Sequence, residues 1–169
     1  MKTTQSLGTI FVHKKKTTGM QRSSLTLLIV LLISGFSTLK AQDYKVGLGI
    51  RLSNSAPTLN NSVTVKYFLN QQNALEGLIS FGSRFGIGAL YEVHKQTTAT
   101  GVSWFYGGGA YIGFQSGDTY LGPTGIIGLD YKFPNIPLNL SLDWKPEMDI
   151  IPSINFVPDA FGLSARFTF

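Results

Sequence analysis

The sequence has 169 residues, contains no cysteine and has two histidines, His13 and His94. Disulfides, thiolate metal sites and cysteine nucleophiles are therefore excluded, and we expect neither a bound metal nor a cofactor. The formal net charge is +5, but the first 42 residues hold six basic residues and no acid, whereas the remaining 127 hold eight basic and nine acidic residues. The basic charge belongs to a leader, so it does not predict a nucleic-acid partner.

Residues 1–41 form this predicted leader. Arg22 precedes an apolar run over residues 25–33, and Ala41 precedes a polar start at Gln42. A short basic region, about ten apolar residues and a small residue at the junction are typical of a secretory signal peptide, and a run of this length is too short to span a membrane as a helix. We expect export, cleavage after Ala41, and translation that begins at Met20, because such a signal does not need the stretch before it.

Apolar and polar residues then alternate in eight successive segments. A period of two is the mark of a β-strand whose two faces differ, and the connections are rich in the Asn, Gly, Pro and Ser of turns. The segments cover residues 44–53, 62–69, 75–81, 85–94, 104–114, 126–133, 138–145 and 160–169. We therefore predict an all-β fold over residues 42–169, an eight-stranded antiparallel up-and-down transmembrane β-barrel.

The length of the segments fits a membrane. A ten-residue strand tilted by about 45° rises about 23 Å, which matches the apolar band of an outer-membrane barrel. A strand can cross lipid only within a closed sheet, where every backbone group is paired. The alternative closed sheet is a soluble lipocalin-like barrel, in which the apolar face points inward.

Two features favour the apolar face on the outside. Large aromatic residues of that face, among them Tyr44, Tyr131 and Trp144, cluster at the ends of the segments, as lipid interfaces select. The polar face is rich in small residues and carries ions of both signs, which could pair inside a narrow lumen. The predicted lumen charge network consists of Lys45, Arg51, Lys66, Glu76, Glu92, Asp130, Lys132, Asp143, Lys145 and Arg166.

With these features the chain resembles the small eight-stranded outer-membrane proteins of the OmpA and OmpX type, without the periplasmic domain that often follows the barrel. The stretch IPLNLSLDWKP at residues 136–146 and the Ala41–Gln42 junction resemble outer-membrane barrel proteins of Bacteroidetes-type bacteria. The resemblance implies residence in the cell outer membrane, with lipid and the barrel-assembly machinery as partners. Phe169 resembles the terminal aromatic residue by which that machinery recognises its substrates.

For three candidate functional features of the sequence, a structural role is favoured over a catalytic or ligand-binding one. His94, on the same face as Glu92, could act as a base only with a nucleophile and an orienting acid in reach, so a rim or lumen histidine is favoured. The run Gly107–Gly109 lacks the following helix of a phosphate loop. The four lumen carboxylates could suggest a glycosidase, but their basic counterparts are nearly equal in number, which favours ion pairs.

The function that we expect is therefore non-enzymatic: a structural or surface-interaction role for a barrel whose lumen is filled by paired charges. Three alternatives stay open, namely a narrow channel for small or apolar solutes, a lipid-modifying barrel enzyme, and a soluble binder. The longest connection, over residues 146–159, is unusually apolar. It either folds over the mouth as a lid or offers a patch to a surface ligand.

Overall fold

The computed structural model describes residues 44–169, so the leader prediction lies outside the described residues. Within this part the chain forms ten strands, and no helix is long and apolar enough to cross a membrane. The strands are β1 (Val46–Ser53), β2 (Ser62–Phe68), β3 (Asn73–Phe81), β4 (Phe85–Gln96), β5 (Val102–Gln115), β6 (Asp118–Lys132), β7 (Leu138–Trp144), β8 (Glu147–Asp149), β9 (Asn155–Val157) and β10 (Phe161–Thr168).

Strands β1 to β7 and β10 form a closed antiparallel barrel. Each strand from β1 to β6 pairs with the next along the chain, and β10 pairs with both β7 and β1, which closes the sheet. The predicted eight-stranded antiparallel barrel is thus confirmed. Closure pairs the backbone of every barrel strand on both sides and leaves no open edge in the barrel wall.

The register defines how strongly the barrel strands are staggered. Following paired residues once around the barrel from Ile112 on β5 leads back to Val102 on the same strand, ten residues earlier. A stagger of this size in eight strands accompanies a strand tilt of roughly 40° and an interior just wide enough for side chains to fill. Whatever points inward must therefore pack tightly.

The alternation of the sequence separates the two faces of this wall. The inward side chains are mostly buried, and they include Arg51, Lys66 and Arg166, each at most 1% exposed. The outward side chains are large and apolar, and Leu142, for example, is 56% exposed. The same outward band runs through every barrel strand, with members such as Leu48, Val63, Ile79, Ile87, Tyr106, Leu129, Leu142 and Leu163.

Strands β3 to β6 are all longer than the sequence pattern predicted, and β6 differs most because Gly122, Pro123 and Gly125 obscure its alternation. Strand β6 begins at Asp118 rather than at residue 126, although Pro123 falls inside it. Strands β5 and β6 form one long ribbon that turns at Ser116 and Gly117, whose φ angles are 53° and 92°. Positive φ is the conformation that glycine adopts without steric cost, which suits Gly117 to the turn.

Tyr44 was wrongly assigned to the outer aromatic rim. The first strand begins only at Val46, so the alternation does not extend to Tyr44. Its ring contacts the ring of Phe68 at 5.1 Å between centroids, and its hydroxyl is buried inside the barrel mouth.

The connection over residues 146–159 is not an apolar lid. It contains the β8–β9 hairpin, whose first strand pairs with β6 and thereby extends the barrel wall at that mouth. The apolar side chains of this hairpin point outward, and Ile154 is 82% exposed. The inward side chains of β8 are the carboxylates Glu147 and Asp149, so the alternation of β8 turns its apolar residues away from the mouth.

Candidate functional site

The lumen is filled by two groups of charged side chains, one toward each mouth. We define the near end as the mouth at which Tyr44 and Phe169 lie, together with the turns β2–β3, β4–β5 and β6–β7. The far end carries the β1–β2, β3–β4 and β5–β6 turns and the β8–β9 hairpin.

The near-end cluster is built on Arg166 of β10. Its guanidinium group forms an ion pair with the carboxylate of Glu76, which also accepts a hydrogen bond from Thr64. Arg166 Nη1 donates to Ser141 Oγ at 2.5 Å and to Asn139 Oδ1 at 3.3 Å. The fixed fork of a guanidinium group suits several acceptors at once, so one side chain ties together β2, β3, β7 and β10.

Lys66 forms the other half of the near-end cluster. Its ammonium nitrogen lies 2.8 Å from Glu92 Oε2 and 3.9 Å from Asp130 Oδ1, and 4.4 Å from the centre of the Phe105 ring. His94 Nε2 lies 2.9 Å from the same Glu92 oxygen. The His94 ring stacks on Phe105 at 4.9 Å, which fixes its orientation.

The near-end cluster holds more carboxylates than fixed cations. Arg166 and Lys66 oppose Glu76, Glu92 and Asp130, all of which are buried. With His94 neutral and all three carboxylates ionised, the formal charge of the cluster would be −1. Burying a charge is costly unless it is paired, so these contacts are needed for the barrel to close around its contents.

The far-end cluster has three ion pairs that join different elements. Arg51 Nη2 lies 2.5 Å from Asp143 Oδ1, linking β1 to β7. Lys145 Nζ lies 3.3 Å from Glu147 Oε1. The third pair joins Arg84, of the β3–β4 turn, to Asp149 of β8 at 3.0 Å, and Asp149 also accepts a hydrogen bond from Tyr111.

The far-end cluster holds a loop inside the barrel. We call residues 56–59 of the β1–β2 connection the plug, because Ala56, Thr58 and Leu59 are fully buried. The backbone N–H groups of Thr58 and Leu59 donate to the two carboxylate oxygens of Glu147 at 2.9 and 2.8 Å. The carbonyl oxygen of Leu59 accepts from Arg51 at 3.2 Å and from Lys145 at 3.4 Å.

Inward glycines provide the space that the plug occupies. A β-carbon at Gly88 would stand 2.6 Å from Leu59 Cδ1, and one at Gly86 would stand 2.8 Å from Thr58 Cγ2. The apolar tip of the plug, Leu59, packs in the lumen core. The other members of that core are Leu78, Leu90, Phe105, Tyr111 and Ile126.

Eight of the ten residues predicted for the lumen charge network lie buried in these two clusters. Lys45 and Lys132 do not, because both lie where the strands end and the alternation no longer decides direction. The Lys45 ammonium lies 5.5 Å from the centre of the outward Tyr67 ring. The Lys132 ammonium donates to the carbonyls of Phe133 at 2.6 Å and Ile136 at 3.0 Å.

Sequence reasoning missed Arg84, Glu147, Asp149 and the plug. All of them lie in connections between predicted strands, where no periodicity indicates direction. One signal was available: Glu147 and Asp149 continue the odd-numbered polar series of Ser141, Asp143 and Lys145.

The terminal residue Phe169 lies at the seam between β10 and β1. Its ring packs against Phe167 at 5.0 Å, and its carbonyl accepts a hydrogen bond from Lys45 N at 2.9 Å.

The near end opens into a cavity of about 780 Å³, which we call the vestibule. Its walls include Tyr44, Phe68 and His94 on one side and Ser103 and Asp130 on another. Uncharged polar residues of the near-end turns form most of its rim. These are Asn70, Gln71, Gln72, Gln96, Thr97, Thr98 and Thr100.

Comparison of the chain with protein-family models, with curated proteins and with solved structures found no match in any of the three. The fold itself defines the class of the protein, which is a small, closed, eight-stranded antiparallel β-barrel with a filled lumen.

Proposed function

We propose that the protein is an integral barrel of a bacterial outer membrane, with a structural or surface-interaction role and without enzymatic activity. The observation that carries this proposal is the outward band of large apolar side chains on a closed wall whose inward face is ionic. In water this apolar band would stay exposed to solvent, whereas the hydrocarbon of a membrane would cover it. The closed wall pairs the backbone of its strands, as a membrane-spanning sheet requires.

The two mouths suggest an orientation in that membrane. The near-end turns β2–β3, β4–β5 and β6–β7 connect their strands through four or five residues. The far end carries the extended β5–β6 ribbon and the β8–β9 hairpin. Outer-membrane barrels have short periplasmic turns and longer external loops, so we place the near end toward the periplasm. The exposed Ile154 and Phe156 would then be available to a ligand at the cell surface.

The filled lumen argues against the channel that the sequence left open. The plug and both ion clusters stand in the path through the barrel, and each is held by contacts from several strands. The enclosure of His94 between Phe68 and Phe105 likewise argues against a lipid-modifying enzyme, because such a side chain must reach the outer wall.

Membrane residence is tested by expressing the chain in a Gram-negative host and washing its membranes with urea. We expect the protein in the washed outer-membrane fraction, with migration on a gel that changes on heating. Leu142→Arg should reduce the folded, membrane-inserted fraction, because an arginine on the lipid face costs roughly 2–4 kcal/mol near the midplane. Leu142→Val is the matched control and should insert normally. Recovery of the wild type in the soluble periplasm would contradict the proposal.

The sealed lumen has a separate test in planar bilayers. The refolded protein should show no stable conductance steps. Steps in the wild type that disappear after substitution of Arg51 or Arg166 would favour the channel instead.

A further inference from the structure

We propose that the side chains of Lys66 and Asp130 join in an amide bond across the lumen, in a condensation that Glu92 assists by carrying protons. Lys66 stands on β2 and Asp130 on β6, which lie four strands apart in the eight-stranded wall and so face each other. The bond is therefore a covalent cross-link between opposite walls of the barrel. The inference concerns lumen side chains and does not depend on where the protein resides.

The amine and two carboxyl groups meet at one point of the near-end cluster. Lys66 Nζ lies 2.8 Å from Glu92 Oε2 and 3.9 Å from Asp130 Oδ1. Among residues 44–169, the buried side-chain atoms without a hydrogen-bond partner include Lys66 Nζ, Asp130 Oδ1 and Glu92 Oε1. Buried polar atoms are costly to leave unpaired. Condensation turns the nitrogen into an amide and expels the Asp130 oxygen, so it removes two of these three atoms from the unpaired set.

Asn139 prepares the other oxygen of Asp130. Its Nδ2 donates a hydrogen bond to Asp130 Oδ2 at 2.6 Å, and its own Oδ1 accepts one from Arg166 at 3.3 Å. A fixed donor stabilises the negative charge that develops on a carboxyl oxygen when a nucleophile attacks the carbon. Oδ2 is therefore the oxygen that stays as the carbonyl of the amide, and Oδ1, which faces the amine, is the one that leaves.

The surroundings of the pair favour a neutral product. Lys66 and Glu92 are fully buried, and Asp130 is 4% exposed. The centre of the Phe105 ring lies 4.4 Å from the Lys66 ammonium. Charges in such a site are costly, so the replacement of an ammonium and a carboxylate by a neutral amide is favourable. Exclusion of water from the site also slows hydrolysis of the bond once it has formed.

The reaction needs no further reactant. Glu92 accepts a proton from the Lys66 ammonium and passes it to Asp130 Oδ1, which leaves a neutral amine beside a carboxylic acid. The Nζ lone pair then attacks Cγ of Asp130. Glu92 takes a second proton from the nitrogen and delivers it to Oδ1, the Cγ–Oδ1 bond breaks, and one water leaves. One ammonium and one carboxylate thus give one amide and one water, and Glu92 returns to its starting state.

Peptide mass spectrometry after digestion with trypsin tests for the bond. Trypsin does not cleave after a lysine whose amine is acylated, so the folded protein should yield residues 52–84 joined to residues 96–132, lighter than the two peptides together by one water. Protein kept in urea since its isolation from inclusion bodies is the control, and it should be cleaved after Lys66. Complete cleavage after Lys66 in protein that circular dichroism shows to be folded in detergent micelles would overturn the inference.

Two variants test the role of Glu92 through the rate at which the linked peptide appears after refolding. Glu92→Gln leaves Glu76 and Asp130 opposite two cations, so the cluster stays balanced in formal charge and the barrel should fold. The rate should fall at least about a hundred-fold, because the proton carrier is gone. Asp118→Asn is the matched control, since it removes an exposed carboxylate at the far end of β6 and should link at the wild-type rate.

Equal rates in Glu92→Gln and the wild type would overturn the assignment of Glu92 as the proton carrier. If Glu92→Gln does not fold, Glu92→Asp provides the test, because its shorter side chain holds the carboxyl group farther from the amine. The rate should then fall at least about ten-fold, since proton transfer requires hydrogen-bond contact. A wild-type rate in Glu92→Asp would contradict the assignment in the same way.

Discussion

The two ends of the lumen are closed in different ways. The charges of the near-end cluster stand on barrel strands, so each is fixed by the same ladder that forms the wall. The far-end cluster instead recruits a turn residue, Arg84, and two residues of the β8 insertion, Glu147 and Asp149, to hold a loop inside. A loop can leave while the ladder stays intact, whereas a strand-borne charge cannot. The far end should therefore open locally, and the near end only when the barrel unfolds.

The largest effect is expected at the near end. Arg166→Met leaves the buried Glu76 without its ion pair and should lower the free energy of unfolding by about 3–5 kcal/mol. Unfolding by urea in lipid vesicles measures this loss. The double variant Arg166→Met with Glu76→Gln should recover much of it, because the unpaired charge is gone. A loss below about 1 kcal/mol in the single variant would show that this cluster does not hold the barrel.

The next effect is expected at the plug. Glu147→Gln removes the charged acceptor of two backbone N–H groups and should destabilise the docked plug by about 2–3 kcal/mol. Hydrogen exchange at the Thr58 and Leu59 amides should accelerate by roughly 30- to 150-fold, since 1.4 kcal/mol is a factor of ten.

The near-end strands serve as the internal control for this variant. Exchange at the backbone amides of Lys66 and Arg166 should stay unchanged, because the opening is local. Equal acceleration of hydrogen exchange at the plug and at these strands would show that the far end does not open separately from the near end.

A smaller effect is expected from filling the space beneath the plug. Gly88→Ala places a methyl group 2.6 Å from Leu59 Cδ1 and should destabilise the plug by about 1 kcal/mol. Gly77→Ala is the matched control on the outward face, where a β-carbon meets nothing within 4 Å. Gly88→Ala should therefore lower the free energy of unfolding more than Gly77→Ala does. Equal values would show that Leu59 does not pack against Gly88.

The smallest effect is expected at the rim. Lys132→Gln should change stability by less than about 0.5 kcal/mol, because the hydrogen bonds of its ammonium within residues 44–169 are to carbonyls of the following turn. Urea unfolding under the same conditions as for Arg166→Met measures this change. A loss as large as that of Arg166→Met would show that Lys132 belongs to the lumen charge network.

Periodicity explains how much of this architecture could be predicted. Within a strand the side-chain direction follows from position alone, so Arg51, Glu76, Asp143 and Arg166 could be assigned to the lumen without coordinates. The plug could not, since Thr58 and Leu59 lie in a connection where backbone direction depends on their partner, Glu147. Tyr44 and Lys132 were misplaced for the same reason, because regular alternation no longer holds at the ends of strands.

The central claim is that the outward apolar band contacts lipid. The absence of native cysteine allows single labels at Leu142→Cys on β7 and Ile79→Cys on β3, with Asn70→Cys in a near-end turn as the aqueous control. Each nitroxide label is tested in vesicles for collisions with oxygen, which dissolves in lipid, and with a water-soluble nickel complex. We predict that oxygen dominates at Leu142 and Ile79, and the nickel complex at Asn70. Nickel collisions at Leu142 as frequent as those at Asn70 would contradict the account.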